Sequence, residues 1–250
     1  MSFGLGHGRE LDPAPGVVGV SPEELPPLPD DIIQNPDSGR VDPRQWFAHP
    51  ERPFEIEIGS GKGAFLIQQG AIQAETNFLG IEWAREFYAY AADRVRRRRD
   101  ADGSLTNVRL LCADASEFLR WRCPGGIVRV IHLYFSDPWP KSRHHKKRVI
   151  QDRFLSDVYR ALTPGGELRV VTDHDGLWAW DMEHFQRWTA SPPPDDSIAQ
   201  LTGGAPAFEL RPFDAPESAG ESELVGSNFE RKFRVEGRSF HAGVLRRLDA

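Results

Sequence analysis

The chain has 250 residues, of which 39% are hydrophobic and 27% charged, and its net charge at pH 7 is −6. This length fits one or two domains with a sizeable core. No apolar run approaches the roughly 20 residues that span a bilayer, and the N-terminus carries no secretory signal. The two cysteines, Cys112 and Cys123, exclude a disulfide scaffold and a four-cysteine metal site. We therefore expect a cytoplasmic protein without a metal site.

The chain consists of two regions that differ in composition and periodicity. The first fifty residues are rich in proline and glycine and lack periodicity, which predicts an irregular extension over residues 1–50. From Pro53 onward, strand-like and helix-like segments alternate, which predicts one doubly wound α/β domain over residues 51–250 with a mostly parallel, Rossmann-like sheet.

The predicted elements of this domain are short strands and longer helices. The predicted strands are Phe54–Ile58, Asn77–Ile81, Val108–Cys112, Ile127–Phe135, Glu167–Thr172 and, after a loop-rich stretch with a possible strand at Ala207–Arg211, Phe240–Leu248. The predicted helices are 62–73, 83–99, a brief one through Phe118, 150–162, 177–188 and 229–238.

Two stretches concentrate positive charge in this otherwise acidic chain. Arginines fill position 94 and positions 96 to 99, and five further cations lie between Lys141 and Arg148 with two histidines among them. Such clusters create a local field that can collect phosphates whatever the net charge. The alternative is a solvated surface, and for the arginine stretch this alternative is favoured.

A glycine-rich turn lies where the first strand of the domain meets its first helix. Glu57-Ile-Gly59-Ser-Gly61 lets the backbone turn sharply and approach a ligand closely. Glu82 ends the next strand, where a carboxylate can accept both hydroxyls of a ribose, and Asp114 follows the third, where it can accept from an adenine amine. Ligands of such sheets bind at the carboxyl ends of the strands, so we expect these acids in one crevice.

This turn leaves two cofactors open. Gly59-x-Gly61-x-x-Ala64 also satisfies the dinucleotide fingerprint, with Glu82 as the ribose acid. Glu57 would repel a pyrophosphate but could neutralise the cationic methionine end of S-adenosylmethionine. Three carboxylates therefore favour the sulfonium cofactor over the nicotinamide one.

The most specific signal is the segment Phe135-Ser-Asp-Pro-Trp-Pro-Lys141, directly after the fourth strand. Prolines remove backbone donors and leave carbonyls and the Asp137 carboxylate as acceptors for a nucleobase amine, with Trp139 near for stacking. The basic stretch begins at Lys141, so a phosphate track leads away from the same place. A rigid loop whose aromatic residue only packs on the domain is the alternative.

These motifs together resemble those of a known family. Glu-Ile-Gly-Ser-Gly-Lys-Gly, Gly-Ile-Glu, Phe-Ser-Asp-Pro-Trp-Pro-Lys-Ser-Arg-His-His-Lys-Lys-Arg and Thr-Asp-His are similar to those of the bacterial tRNA (guanine(46)-N7)-methyltransferases, which are class I methyltransferases dependent on S-adenosylmethionine. The resemblance runs from about Phe54 to Leu248. It implies a methyl donor, a tRNA substrate, no membrane, no obligatory protein partner, and a monomer or homodimer.

The resemblance also implies roles for individual residues. The predicted donor-binding residues are Glu57, Gly59, Gly61, Glu82, Asp114 and Asp137, of which Asp137 is also the proposed catalytic residue. The predicted tRNA-contacting residues are Lys141, Asp173, Ser227, Asn228, Phe229 and Glu230. The last four stand where the family has Thr-Lys-x-Glu, so Asn228 replaces a cation of the family pattern.

The predicted reaction needs no strong general base, because guanine N7 has an in-plane lone pair and no proton to lose. Asp137 would orient the base and offset the positive charge that it gains. Three alternatives stay open: an amino-group methyltransferase, which has a related Asp-Pro-Pro-aromatic loop, a nicotinamide-dependent dehydrogenase, and a non-catalytic RNA-binding module.

Overall fold

The structure of the chain is a computed structural model that describes residues 5–6, 8–194 and 196–249. The chain divides into two compact units. The first contains the described residues up to Pro124 together with Ala215–Glu230, and the second contains Gly125–Asp214 and the described residues from Arg231 onward. No helix of the described residues is both long and apolar enough to cross a membrane.

Four parallel strands form the sheet of the first unit, in the order β1-β4-β3-β2. They are β1 (Gly19–Val20), β2 (Phe54–Ile58), β3 (Asn77–Glu82) and β4 (Val108–Cys112). The helices between them are α1 (Ala64–Ile72), α2 (Arg85–Asp102) and, after β4, α3 (Ala115–Trp121).

Burial explains why these segments form a parallel sheet. Every residue of β2 and β3 is buried, as expected for strands that are covered on both faces. A Cβ at Gly80 would lie 2.3 Å from a methyl carbon of Leu66 and 3.0 Å from Cβ of Ser60. Glycine at this position of β3 therefore lets α1 and the preceding glycine turn pack directly on the sheet.

The segment before β2 contains more regular structure than predicted. Strand β1 pairs with β4 at Gly19–Leu110, and three short 3-10 helices follow at Pro22–Glu24, Pro36–Gly39 and Pro43–Trp46. Proline occupies the first position of each of these helices, where no backbone donor is needed.

The second unit contributes four strands in the order β5-β6-β8-β7, of which β5 and β6 are parallel and the other pairs antiparallel. The strands are β5 (Val128–Tyr134), β6 (Leu162–Thr172), β7 (Phe208–Arg211) and β8 (His241–Arg247). The helices are α4 (Asp152–Ala161), α5 (Asp175–Thr189) and α6 (Asp196–Thr202), with a 3-10 helix at Ser142–Lys147. Helix α7 (Asn228–Val235) begins in the first unit and ends in the second.

The predicted α/β class with a mostly parallel sheet is confirmed, and three details of the prediction are wrong. Strand β1 and helix α6 were not predicted. Residues 163–166, Thr-Pro-Gly-Gly, separate the predicted helix 150–162 from the predicted strand Glu167–Thr172, but they lie inside β6, whose pairing with β5 shifts from Val128–Leu162 to Val130–Glu167. The three extra residues of β6 are accommodated as a bulge, with Gly165 at a φ of +72°.

Candidate active site

A glycine turn forms the carboxyl end of β2 in the first unit. Gly59 and Gly61 have φ values of +73° and +52°, which favour glycine over any other residue. The Gly59 N–H donates to the Ile81 carbonyl at 2.8 Å and fixes the turn to β3. A Cβ at Gly59 would meet nothing within 4 Å, so the turn borders open space on that side.

Glu82, at the end of β3, holds the same turn. One carboxylate oxygen accepts from the Gly61 N–H at 2.9 Å, and the other accepts from the Ala84 N–H at 2.9 Å. The residue is 7% exposed. A carboxylate offers about four acceptor positions, so this side chain can accept from several donors at once.

Glu57, in β2, is the one carboxylate among the described residues of the first unit that has a buried oxygen atom without a hydrogen-bond partner. It is 6% exposed, and its Oε2 atom has no hydrogen-bond partner among the described residues. Burial, and secondarily the charge of Glu82, raises the pKa of Glu57 well above its usual value. A buried acceptor without a donor is unfavourable, so this position fits a cationic donor such as the ammonium group of S-adenosylmethionine.

Asp114 ends the loop after β4 and begins α3. Its Oδ1 atom accepts from the backbone N–H groups of Ser116 and Glu117 at 2.8 and 3.1 Å, which is the geometry of a helix N-cap. Its Oδ2 atom makes no hydrogen bond within the described part of the chain. The carboxylate is therefore anchored through one oxygen and offers the other to a ligand.

In the second unit, Asp137 lies in a strained and exposed loop after β5. The Phe135 N–H continues the sheet by donating to the Val171 carbonyl at 2.8 Å. Phe135 and Trp139, on either side of Asp137, have φ values of +55° and +41°. Left-handed backbone at bulky residues costs roughly 1–3 kcal/mol each and clusters at functional sites. The exposed Asp137 carboxylate itself has no hydrogen-bond or ion-pair partner among the described residues.

The basic stretch after this loop is accessible. Its cations Lys141, Arg143, Lys146 and Lys147 are exposed, and none makes an ion pair with a carboxylate of the described residues. The Lys147 ammonium lies 4.5 Å from the centre of the Trp139 ring, a cation–π contact. These four side chains are accessible to phosphates, whereas the fifth cation of the stretch, Arg148, is buried.

The arginine stretch differs, because all five of its guanidinium groups bind acceptors within the first unit. Arg96 and Arg97 contact Asp93, Arg98 contacts Asp102, and Arg94 and Arg99 donate to backbone carbonyls. The structure thus agrees with the favoured alternative, a compensated helix face rather than a phosphate track.

Asp173, at the carboxyl end of β6, is engaged within the second unit. Its Oδ2 atom accepts from Nη1 of Arg238 at 2.5 Å, and Arg238 also pairs with Glu236 at 2.6 Å. An RNA contact through Asp173 would therefore have to share or displace Arg238. No local sequence pattern predicts this ion pair, since its two residues are 65 positions apart in the chain.

The predicted Ser227–Glu230 motif divides into two pairs of residues. Glu230 is fully buried and accepts from the backbone N–H groups of Leu224, Val225 and Gly226 at 2.5, 2.9 and 3.0 Å. Its own N–H donates to the Ser227 hydroxyl at 3.0 Å. Ser-x-x-Glu is a known signature of a helix start, and this signal was available in the sequence.

The other two residues of this motif, Asn228 and Phe229, are exposed. The Phe229 ring lies beside the glycine turn, since its Cε2 atom is 3.9 Å from the position of a Cβ at Gly61. Ser227 and Glu230 thus shape the turn at the start of α7, and Asn228 and Phe229 remain accessible to a ligand.

Comparison with known proteins connects these features to a family. A family model described as "Putative methyltransferase" matches residues 51–192. The tRNA (guanine-N(7)-)-methyltransferase of Lactobacillus gasseri is 35% identical over 216 residues, which cover 85% of this chain and 89% of the relative. The enzyme of the same name from Nitrobacter hamburgensis is 36% identical over 185 residues, covering 74% and 68%.

Coverage varies among the relatives. The alignment with the tRNA (guanine-N(7)-)-methyltransferase of Rhodopseudomonas palustris is 40% identical but spans 56% of this chain and about half, 51%, of that relative. A solved structure described as an antibiotic related methyltransferase has a TM-score of 0.50 at 14% identity and covers 88% of this chain and 94% of its own, which supports the fold. From the family model and the two relatives that are covered over more than two thirds of their length, the chain belongs to the tRNA (guanine-N(7)-)-methyltransferase family.

Proposed function

We propose that this chain transfers a methyl group from S-adenosylmethionine to N7 of guanine 46, in the variable loop of tRNA, and so forms 7-methylguanosine. The observation that carries the proposal is the unpaired Asp137 carboxylate in a strained loop that continues into four unpaired cations. Family membership supports the methyl donor over the nicotinamide cofactor that the glycine turn alone leaves open.

The donor-binding residues are Glu57, Gly59, Gly61, Glu82 and Asp114 in the first unit. The bound donor supplies an electrophilic methyl group on a sulfonium. Glu57 accepts from its ammonium group, which gives the unpartnered Oε2 atom the donor that it lacks. Glu82 accepts from the ribose hydroxyls while holding the Gly61 N–H, and the free oxygen of Asp114 accepts from the adenine amine.

Asp137 acts on the guanine, and by family resemblance it also contacts the donor. Its carboxylate accepts from N1–H or the 2-amino group, so that the N7 lone pair is directed at the methyl group. Because methylation at N7 leaves the base positively charged, a fixed carboxylate stabilises the transition state more than the ground state. No proton is removed from N7, and no residue is needed as a general base.

The tRNA backbone binds the cations Lys141, Arg143, Lys146 and Lys147. Asn228 and Phe229 contact the RNA directly, whereas Ser227 and Glu230 keep their turn in shape. Asp173 contacts the RNA by exchanging its Arg238 partner. The enzyme works in the cytoplasm as a monomer or homodimer without an obligatory protein partner.

The test uses methyl-labelled S-adenosylmethionine, an unmodified tRNA transcript and a matched transcript with adenine at position 46. We expect label in 7-methylguanosine after nuclease digestion and mass spectrometry of the first transcript, and none from the second. Equal label from both transcripts would refute position 46. Label on an exocyclic amine would move the chemistry to an amino-group methyltransferase, and binding without label would leave an RNA-binding module.

The role of Asp137 has its own test. We expect Asp137→Ala to lower kcat by about 100-fold or more, the range found when one transition-state contact is removed, while the Kd of the donor changes little. A time course of methylation measures kcat, and calorimetric titration of the donor measures its Kd. A variant that keeps near wild-type turnover would refute the role of Asp137.

A further inference from the structure

One guanidinium group of the second unit is buried behind the loop that carries Asp137. Arg148 is 4% exposed and is the only lysine or arginine among the described residues that is buried. It directly follows the 3-10 helix Ser142–Lys147, whose lysines and arginine are exposed. Burying a guanidinium is unfavourable unless its donors are satisfied, so its contacts identify what it stabilises.

The Arg148 side chain bridges two backbone segments. Its Nε atom donates to the Pro138 carbonyl at 3.0 Å, and its Nη1 atom donates to the Gly176 carbonyl at 3.1 Å. Its guanidinium carbon lies 5.3 Å from the centre of the Trp180 ring. The planar guanidinium group therefore connects the loop after β5 to the first turn of α5. This helix begins two residues after Asp173.

Apart from the bond from Arg148, no hydrogen bond among the described residues holds residues 136–140, although the Trp139 ring contacts Lys147 and His144. Pro138 and Pro140 have no backbone N–H, the backbone at Trp139 is left-handed, and the Asp137 side chain has no partner among the described residues. The Pro138 carbonyl belongs to the peptide unit next to the one that carries the Asp137 carbonyl. A hydrogen bond to it restricts the backbone torsions that aim the Asp137 carboxylate.

We infer that Arg148 is a positioning residue for methyl transfer: it holds the Pro138 carbonyl and thereby directs Asp137, without contacting the substrate. This inference rests on the proposed function. Lysine cannot replace this guanidinium, because its single ammonium cannot donate along two fixed directions from one planar group. The contribution of Arg148 is thus geometric and is separate from the phosphate binding of its exposed neighbours.

Arg247 offers a matched control in the same unit. Its guanidinium donates to the Leu162 carbonyl and lies 4.5 Å from the centre of the Tyr159 ring, so it makes the same two kinds of contact. Leu162 begins β6, at the opposite end of that strand from Asp173. Arg247→Lys therefore imitates Arg148→Lys in chemistry but affects the amino end of the sheet.

The experiment compares Arg148→Lys, Arg148→Met and Arg247→Lys in the full chain. We expect kcat to fall about tenfold in Arg148→Lys and about 100-fold in Arg148→Met, since small misplacements of a reacting group have effects of this size. We expect KM for tRNA and the Kd of the donor to stay within about threefold for both. Arg247→Lys should keep kcat. Unfolding midpoints identify any variant that fails to fold, in which case Arg148→Lys carries the test.

Two further measurements separate this inference from the proposed function. The double variant Asp137→Ala, Arg148→Lys should lose no more kcat than Asp137→Ala alone, because both changes act on one group. Hydrogen exchange of the Phe135 N–H, which donates to the Val171 carbonyl at the start of this loop, should be faster in Arg148→Lys than in wild type or Arg247→Lys, and this result does not require activity. A folded Arg148→Lys with wild-type kcat, or with unchanged exchange, would overturn the inference, whereas a wild-type protein without 7-methylguanosine product would overturn only the proposed function.

Discussion

The two cationic stretches have the same charge in the sequence and opposite environments in the structure. In α2, Arg96 pairs with both Asp93 and Asp100, and Arg98 pairs with Asp102. Between Lys141 and Lys147, by contrast, no cation pairs with a carboxylate of the described residues. A count of basic residues therefore does not identify a phosphate-binding surface.

The difference arises from acidic residues at helical spacing. Carboxylates three or four positions away share a helix face with the arginines of α2 and neutralise them in place. The second stretch has no acid between Asp137 and Asp152, and its short 3-10 helix turns several cations outward. The spacing of the opposite charges, rather than the number of cations, distinguishes a helix face whose arginines are paired internally from a surface that can bind RNA.

The largest expected effect comes from neutralising the second stretch. We expect the variant with Lys141, Arg143, Lys146 and Lys147 all changed to Gln to bind tRNA about 100-fold more weakly near 0.1 M salt. The slope of log Kd against log salt should also fall by about 3, at roughly 0.7–0.9 per lost phosphate contact. Filter binding over a salt series measures both quantities.

The matched control changes Arg96, Arg97 and Arg98 to Gln in α2. Because these side chains already have carboxylate partners, we expect tRNA affinity within about threefold of wild type and a nearly unchanged salt slope. A control that loses as much affinity as the first variant would remove the distinction between the two stretches.

Most of the fold could be predicted from the sequence because it is local. Strands β2 and β4 have their predicted bounds because short segments rich in aromatic, β-branched and aliphatic residues lie between turn-forming residues. Strand β1 could not be predicted, since it has two residues and its partner Leu110 lies about ninety positions later. The bulge in β6 could not be predicted, because its Pro-Gly-Gly sequence is equally typical of a turn between a helix and a strand.

The candidate site shows the same limit. The positions of Glu57, Glu82 and Asp114 followed from where their strands end, and the structure places each at such an end. The Arg238 partner of Asp173 and the burial of Arg148 depend on contacts between distant segments, which no local pattern specifies. The buried Glu230 is intermediate, since its Ser-x-x-Glu spacing was visible but its three backbone donors were not.

The next largest effect concerns Asp93, the buried carboxylate of α2 that pairs with Arg96 and Arg97. It is 1% exposed and accepts from Arg9, Arg96 and Arg97. We expect Asp93→Asn to lower the free energy of unfolding by about 2–3 kcal/mol at pH 7, because it removes the buried negative charge that pairs with three guanidinium groups and places an amide N–H against these donors. Urea unfolding followed by circular dichroism measures the change.

The same carboxylate predicts a pH dependence. Burial alone would raise the pKa of Asp93, but the hydrogen bond from Arg96 and the charges of Arg9 and Arg97 hold it below its usual value. A lowered pKa in the folded state contributes stability above the unfolded pKa of about 3.9, and this stability disappears as pH falls through the folded pKa. The difference between wild type and Asp93→Asn should therefore be constant from pH 5 to 8 and shrink below about pH 4. A difference in the free energy of unfolding that increased as the pH fell would contradict this role of the Asp93 carboxylate.

The smallest expected effect is at Arg98, which is more exposed than the other two carboxylate-paired arginines of the arginine stretch, Arg96 and Arg97. Its pair with Asp102 is an i, i+4 contact in which both side chains are about half exposed, at 56% and 45%. Such pairs contribute about 0.3–0.5 kcal/mol. We expect Arg98→Gln to change the free energy of unfolding by no more than about 0.5 kcal/mol and tRNA affinity by less than twofold, measured by the same urea and filter-binding assays. A larger loss of tRNA affinity would mean that Arg98 leaves Asp102 to bind phosphate, and internal pairing would then no longer separate the two stretches.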